Sequence, residues 1–346
     1  MPFTTTPARV GVVAIGRNEG ERLRRCFDSI PLEVAAVVYV DSGSTDGSVE
    51  LALGRGHEVV DLDMTRPFTA ARARNAGFTR LCERCPGIEY VQFVDGDCAL
   101  ADGWLSCAAA ALDTEPGVAA VWGRRRELHP EQSIYNRVCD VEWAQEPPGD
   151  TQVFGGDVLV RISAVRELGG YDPRIIAGED PEFAYRLHRN GHRILRLDAE
   201  MTRHDAGITR FGQWWTRTKR SGYAYAQVSS LHGSQAERFW VKDTRRALFW
   251  GMFVPALVPA LALPTLGLSS LLLSIYPLRA ARIARHAHAR GVSRTDARFW
   301  ALHCVGASVP QAVGILSYHF ERWRGKDPTI IEYKSADDGG ARDSAV

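Results

Sequence analysis

Short apolar runs that stop at polar, glycine-bearing loops, each followed by apolar residues at helical spacing, dominate the first two hundred residues. Val10 to Ile15 is the first such run. It ends at Gly16-Arg17-Asn18-Glu19-Gly20, after which Leu23, Cys26, Phe27 and Ile30 recur as one face of a helix. Ala35 to Val40 is the second; it ends in a loop from Asp41 to Ser48 that leads into a helix, with Ser44 or Asp46 able to cap it. His57 to Leu62 reads as a third strand. Repeated strand–loop–helix units predict a right-handed α/β fold whose ligand crevice lies at the carboxyl ends of the strands.

The run Val91 to Val94 stops abruptly at Asp95-Gly96-Asp97. Two carboxylates one residue apart at a sheet edge suit Mg²⁺ or Mn²⁺ shared with a diphosphate, since these ions favour carboxylate oxygens plus substrate phosphate. An ordinary strand-ending turn fits the same three residues. Before this strand, Ala73-Arg74-Asn75-Ala76-Gly77 sits within a helix, and Arg72 and Arg74 at two-residue spacing face different ways, one of them to the crevice. A helix over Leu105 to Leu112 and strands over Val118 to Trp122 and Leu195 to Asp198 continue the pattern.

Composition changes this picture in the C-terminal third. The net charge is +1, which offers nothing to nucleic acid, but Lys242 to Lys334 carries a local +8 and leaves −7 for the rest. Ala247 to Leu278 holds 32 residues without a charge. As one helix it would measure about 48 Å against roughly 30 Å of bilayer hydrocarbon. Pro255, Pro259, Pro264 and Gly267 oppose one straight rod, and basic residues flank both ends, so a hairpin dipping into one leaflet is preferred. Two spans, 247–278 and 299–320, and a soluble helical core are the alternatives. Arg279 to Arg290 reads as a basic interfacial helix within 279–298, and 299–320 as a helix packed on that surface. Residues 330–334 suit an extended docking segment, and 335–346 is polar enough to be disordered. Seven cysteines without a framework spacing suit reduced thiols in the cytoplasm, and no basic segment followed by a long apolar one marks the N-terminus for export.

Taken in order, Asn18-Glu19, Asp41 to Gly47, Ala73 to Gly77 and Val94-Asp95-Gly96-Asp97 resemble the family 2 glycosyltransferases with the GT-A fold. The resemblance covers about residues 8 to 225. It implies a Rossmann-like mixed sheet of the α/β class over 1–235; hydropathy adds a helical membrane-associated region over 236–334. It implies donor contacts from Gly16, Asn18, Glu19, Asp41, Arg74, Asp95 and Gly96, and a divalent cation held by Asp95 and Asp97. His204, after the last strand, completes the metal shell in several relatives; a structural histidine is the alternative. Gly155-Gly156-Asp157 stands where the family more often has Gly-Gly-x-Asn, and with Trp215 would contact the acceptor.

In Gly178-Glu179-Asp180, Asp180 matches the family's general base and Glu179 its neighbour. Carboxylates favouring a helix N-terminus are the alternative there. Arg217 and Arg220 would neutralise the leaving nucleoside diphosphate; a solvated basic helix competes. Gln213-Trp214-Trp215-Thr216-Arg217 departs from the Gln-x-x-Arg-Trp of processive relatives, which favours addition of single sugars. The expected activity is inverting transfer from a nucleotide sugar, by default a uridine diphosphate sugar, to a lipid-linked or polysaccharide acceptor at the cytoplasmic face of the inner membrane. A nucleotidyltransferase and a catalytically silent membrane scaffold are the rivals, and the former lacks an N-terminal Gly-rich, Lys-bearing loop.

Overall fold

The computed structural model describes residues 7–326. The expectations for 330–334 and 335–346 lie outside them. The chain divides into two units: one takes the chain up to Leu128 together with Trp143–Gly207, the other takes His129–Glu142 and the chain from Ile208 onward.

The first unit alternates strands and helices: β1 (Val10–Gly16), α1 (Glu21–Asp28), β2 (Ala36–Asp41), α2 (Ser48–Gly54), β3 (Glu58–Asp61), α3 (Ala70–Arg84), β4 (Tyr90–Asp95), β5 (Cys98–Leu100), α4 (Trp104–Thr114) and β6 (Val118–Glu127). After α5 (Ile134–Trp143), which lies in the second unit but for its last residue, come β7 (Gly149–Asp150), β8 (Val158–Arg161), α6 (Ile162–Leu168), α7 (Glu179–Arg189) and β9 (Arg193–His204). The sheet runs β3-β2-β1-β4-β8-β6-β9-β5, with β7 against β9. β1 pairs in parallel with both β2 and β4, whereas β8 runs antiparallel to β4 and β6. It is the mixed sheet of the GT-A fold.

β1 and β4 are buried along almost their whole length rather than alternately, as strands covered on both faces are. Their register aligns Ile15 with Asp95, and Gly16 with Asp41 on β2. Three sequence-selected residues therefore reach one edge, where the strand order reverses, and crevices form at such points. Helix α3 seats on the sheet through Ala73 and Gly77; a side chain at Gly77 would meet Val13 and Val40.

The second unit is helical: α8 (Phe211–His232), α9 (Val241–Leu248), α10 (Val254–Ala260), α11 (Ile275–Ala289), α12 (Arg294–Gly306) and α13 (Ser308–Trp323). A π-helical turn over Phe249–Phe253 joins α9 to α10, and a 3₁₀ stretch over Leu268–Ser274 leads into α11. The chain turns back across residues 261–267. α8 lies against α13 through two glycines, for a Cβ at Gly222 would strike the Gln311 backbone and one at Gly314 the Lys219 carbonyl.

This pairing corrects the expected boundary at 235. α8 belongs to the helical unit because its small-residue face is closed by α13, and α5 joins it without any shift in composition to mark the insertion. The single basic helix expected over 279–298 is two: Gly291, at φ 92°, and the Ser293 cap end one and start the next. Among the described residues, one helix, Arg294–Trp323, is long and apolar enough to cross a membrane, with 39% of its most apolar stretch buried.

Candidate active site

Arg74 is the centre of the acidic cluster. Small neighbours in α3 press that helix to the sheet, and the guanidinium, 1% exposed, is driven towards the strand ends. Nη2 donates to Asp95 Oδ1 at 2.8 Å, and Nη1 donates to Glu179 Oε1 at 2.8 Å and lies 3.4 Å from Asp180 Oδ1. The Tyr171 ring stacks below it at 5.4 Å. A charge so deeply desolvated is tolerable only when paired this fully. Arg74 was expected to contact the donor; burial and these three carboxylates engage it instead. Arg72, its half-buried counterpart, donates to the carbonyls of Asp63, Arg66 and Pro67. The adjacent Asn75 clips the Tyr171 backbone at both N–H and C=O, each at 2.8 Å, and so holds the loop that supplies the ring.

Asp180 opens α7 behind Gly178, whose φ of 85° explains the glycine. Its Oδ2 accepts the Gly156 N–H at 2.8 Å. Among the described residues Oδ1 accepts no hydrogen bond, although it is buried. Burial pushes this carboxyl up to about 8, against the pull of Arg74 and with the push of Glu179 and Asp95. One oxygen is thus fixed and the other is left to accept a proton.

Asp95 and Asp97 flank Gly96, where a Cβ would sit 3.1 Å from the Ile15 carbonyl. Burial raises the Asp95 pKa, Arg74 lowers it, and the neighbouring carboxylates of Asp157 and Asp97 raise it again. His204, at the end of β9, places Nε2 3.3 Å from Asp97 Oδ2 and packs edge-on against Trp143 at 4.8 Å. Cys98 lies with them, and one ligand atom from each of the three falls within 4.8 Å of the others. Carboxylate oxygen and imidazole nitrogen converging at this distance fit Mn²⁺ or a similar divalent ion. Glu127 Oε2 stands 3.9 Å behind His204 Nδ1 and also accepts the Ala206 N–H, an arrangement that orients the ring.

The acceptor expectations for Asp157 and Gly156 are corrected. Asp157 is fully buried and cannot touch an acceptor: it accepts the Asp95 N–H at 3.0 Å and the Thr202 hydroxyl at 2.7 Å, and pairs with Arg125 at 2.8 Å. Gly156 is buried too, because a side chain there would occupy the place of the Arg125 guanidinium; Gly155 is exposed, with open space before it. Asp41 is 4% exposed and spends its carboxylate on the Gly43 and Ser44 N–H groups and the Tyr39 hydroxyl, so it shapes the crevice loop rather than lining it. Asn18, at φ 54°, ties the facing loop to this one through Ser44 and Thr45, while Glu19 pairs with Arg22 and Gly16 packs beside Tyr39. Trp215, Arg217 and Arg220 all lie on α8 of the helical unit. Arg217 is engaged by Glu142 at 2.8 Å and Trp215 packs near Phe211.

Arg125 and Glu127 escaped the sequence reading. The signal available was a charged Arg124-Arg125-Arg126-Glu127 run at the end of an otherwise apolar strand, where alternation sends residue 125 to the face opposite its neighbours.

Residues 12–154 match the family described as Glycosyl transferase family 2. A pre-mycofactocin glycosyltransferase of Mycobacterium tuberculosis is 24% identical over 234 residues, covering 64% of this chain and 48% of the relative. The succinoglycan biosynthesis protein ExoA of Rhizobium meliloti is 28% identical over 183 residues, covering 47% and 52%. The chain thus spans about half the length of the curated relatives it matches. Among solved structures, the mannosyltransferase PcManGT from Pyrobaculum calidifontis, in complex with GDP-Man and Mn²⁺, superposes with a TM-score of 0.57 at 20% identity, covering 91% of this chain and 88% of that one. TarS 1–349 of S. aureus in complex with UDP gives 0.51 at 14% identity, covering 92% of each. The sheet topology and the superposition give this chain the GT-A fold, and its residues 12–154 are similar to the glycosyltransferases of family 2.

Proposed function

We propose that the enzyme transfers a sugar, with inversion, from a nucleotide sugar, by default a uridine diphosphate sugar, to a hydroxyl of a lipid-linked or polysaccharide acceptor. The reaction would take place at the cytoplasmic face of the inner membrane. The observation that carries this reading is the single guanidinium of Arg74 joining Asp95 to Asp180, which holds the two acidic clusters next to one another. Asp97 and His204, with Asp95 beside them, would hold a divalent cation, which when bound offsets the charge gathering on the departing diphosphate.

In this scheme Gly156 fixes Asp180 so that Oδ1 faces the incoming alcohol. As the acceptor oxygen bonds to the anomeric carbon, its proton passes to Oδ1. The bond from that carbon to the diphosphate breaks and its electron pair leaves with the phosphate oxygen. The low exposure of Arg74, Glu179 and Asp180 keeps water from competing. The ExoA relative, named for succinoglycan biosynthesis, supports a glycan precursor as acceptor.

Release of nucleoside diphosphate from a panel of nucleotide sugars, with Mn²⁺, is the test. Wild type should exceed Asp180→Asn by about 10²-fold or more. Equal background rates for the two proteins, with every donor, would overturn the assignment.

A further inference from the structure

The helical unit carries an apolar projection that the transfer chemistry does not use. Between the π-helical turn and α11 the chain runs out, turns over residues 261–267, and runs back. Its tip presents Leu263 at 88% exposure and Leu266 at 94%, and the return arm exposes Leu268 and Leu271 at 67% each. Leu266 even adopts φ 51°, a conformation a leucine rarely takes, and points outward nonetheless. A contiguous face of this kind marks an interaction site rather than chance exposure.

We propose that this hairpin is a one-leaflet anchor that inserts into an anionic phospholipid bilayer. Three observations select lipid as the occupant. The first is polar satisfaction: all four hydroxyls between residues 261 and 274 donate to backbone carbonyls, Thr265 to Leu261, Ser269 to Val258, Ser270 to Gly267 and Ser274 to Leu271. The turn also closes its own backbone, with Thr265 N–H on Leu261 and Gly267 N–H on Ala262. A water-exposed loop needs no such economy, whereas a segment in hydrocarbon must leave no polar group unmet.

The second is charge. From residue 244 to residue 295 the sequence has no acidic residue and seven arginines, all of them outside the hairpin at its two roots and beyond. Arg245, Arg246, Arg282 and Arg285 are exposed there, where they would meet lipid phosphates. At the root Arg279 stacks on Trp250 at 4.7 Å, and the Tyr276 hydroxyl donates to the Trp250 carbonyl at 2.5 Å. Trp and Tyr settle at the level of the headgroups.

The third is length. The outgoing arm from Phe249 to Ala260 rises about 18 Å, close to the ~15 Å of one leaflet's hydrocarbon and well short of the roughly 30 Å of both. The arm therefore ends near the bilayer midplane and falls well short of spanning both leaflets.

Flotation of the full chain with preformed vesicles tests this. Wild type should float with phosphatidylglycerol-containing vesicles, at least ten times more weakly with pure phosphatidylcholine, and less as salt rises. Leu263→Asp/Leu266→Asp should lose binding at least tenfold while keeping its circular dichroism and its nucleoside diphosphate release. Trypsin sealed inside the vesicles should leave the bound chain intact. Flotation of the double variant equal to wild type, cleavage by the enclosed trypsin, or no vesicle binding by wild type would each overturn the proposal. So would a stable dimer that the double substitution dissolves while vesicle binding is unchanged. Vesicle binding and sugar transfer fail separately, since neither leucine has a part in the scheme above.

Discussion

Arg74 and Asp95, on a helix and the strand that follows it, share a 2.8 Å hydrogen bond inside the protein, and the same guanidinium reaches the acids that open α7. One buried cation thereby sets the spacing between the two halves of the site. Breaking a buried pair leaves uncompensated charge, which costs about 3–5 kcal/mol. Arg74→Ala should lose about that much in urea unfolding, along with transfer activity. Arg74→Lys should recover part of the stability but little activity, because one ammonium cannot imitate the fork that touches Asp95, Glu179 and Asp180 together. A stable, active Arg74→Ala would contradict this picture.

The pH profile follows from Asp180. Its carboxyl is held up to about 8 by burial, and a base works only when ionised. The kcat/KM should therefore rise with pH towards that value and fall roughly tenfold per pH unit well below it. Arg74 pulls this pKa down, so Arg74→Met, if soluble, should move the rising limb to higher pH. Asp180→Asn should flatten the profile to background.

Asp97 and His204 are expected to bind Mn²⁺ as a unit. Free metal at about 100 times its Kd should add ~2.7 kcal/mol to the stability of wild type, read as a rise in Tm. Asp97→Asn or His204→Ala should each abolish most of that rise. An unchanged Mn²⁺-induced shift in both variants would place the metal elsewhere.

In the helical unit Gly222→Ala sets two effects against each other. Alanine favours a helix by up to about 1 kcal/mol over glycine. Its methyl would strike the Gln311 backbone, which has no rotamer to yield, and overpacking costs about 1–3 kcal/mol. The clash should win, giving a net loss in chemical denaturation. A more stable variant would mean that α8 and α13 are not packed as described.

Local pattern was enough to locate the strand ends, because an apolar run, its polar stop and the helix after it are neighbours in the chain. Asp95 and Asp97 could be picked out on that basis, and so could the uncharged stretch from 247 to 278; Asp180 and His204 came from the family resemblance. Charge type and spacing alone, however, treat every acid in a glycine-bearing loop alike. Only the register of β1, β2 and β4 decided that Asp41 serves the loop while Asp95 meets Arg74, and only the antiparallel entry of β8 sent Asp157 inward to Arg125. The direction of Arg74 is a desolvation question, settled by three carboxylates from two distant segments. The reassignment of α8 rests on a glycine contact with a helix far along the chain. Elements are set by residues a few positions apart; partners are set by which elements the sheet and the helix packing bring together, and no window of sequence holds both sides of that contact.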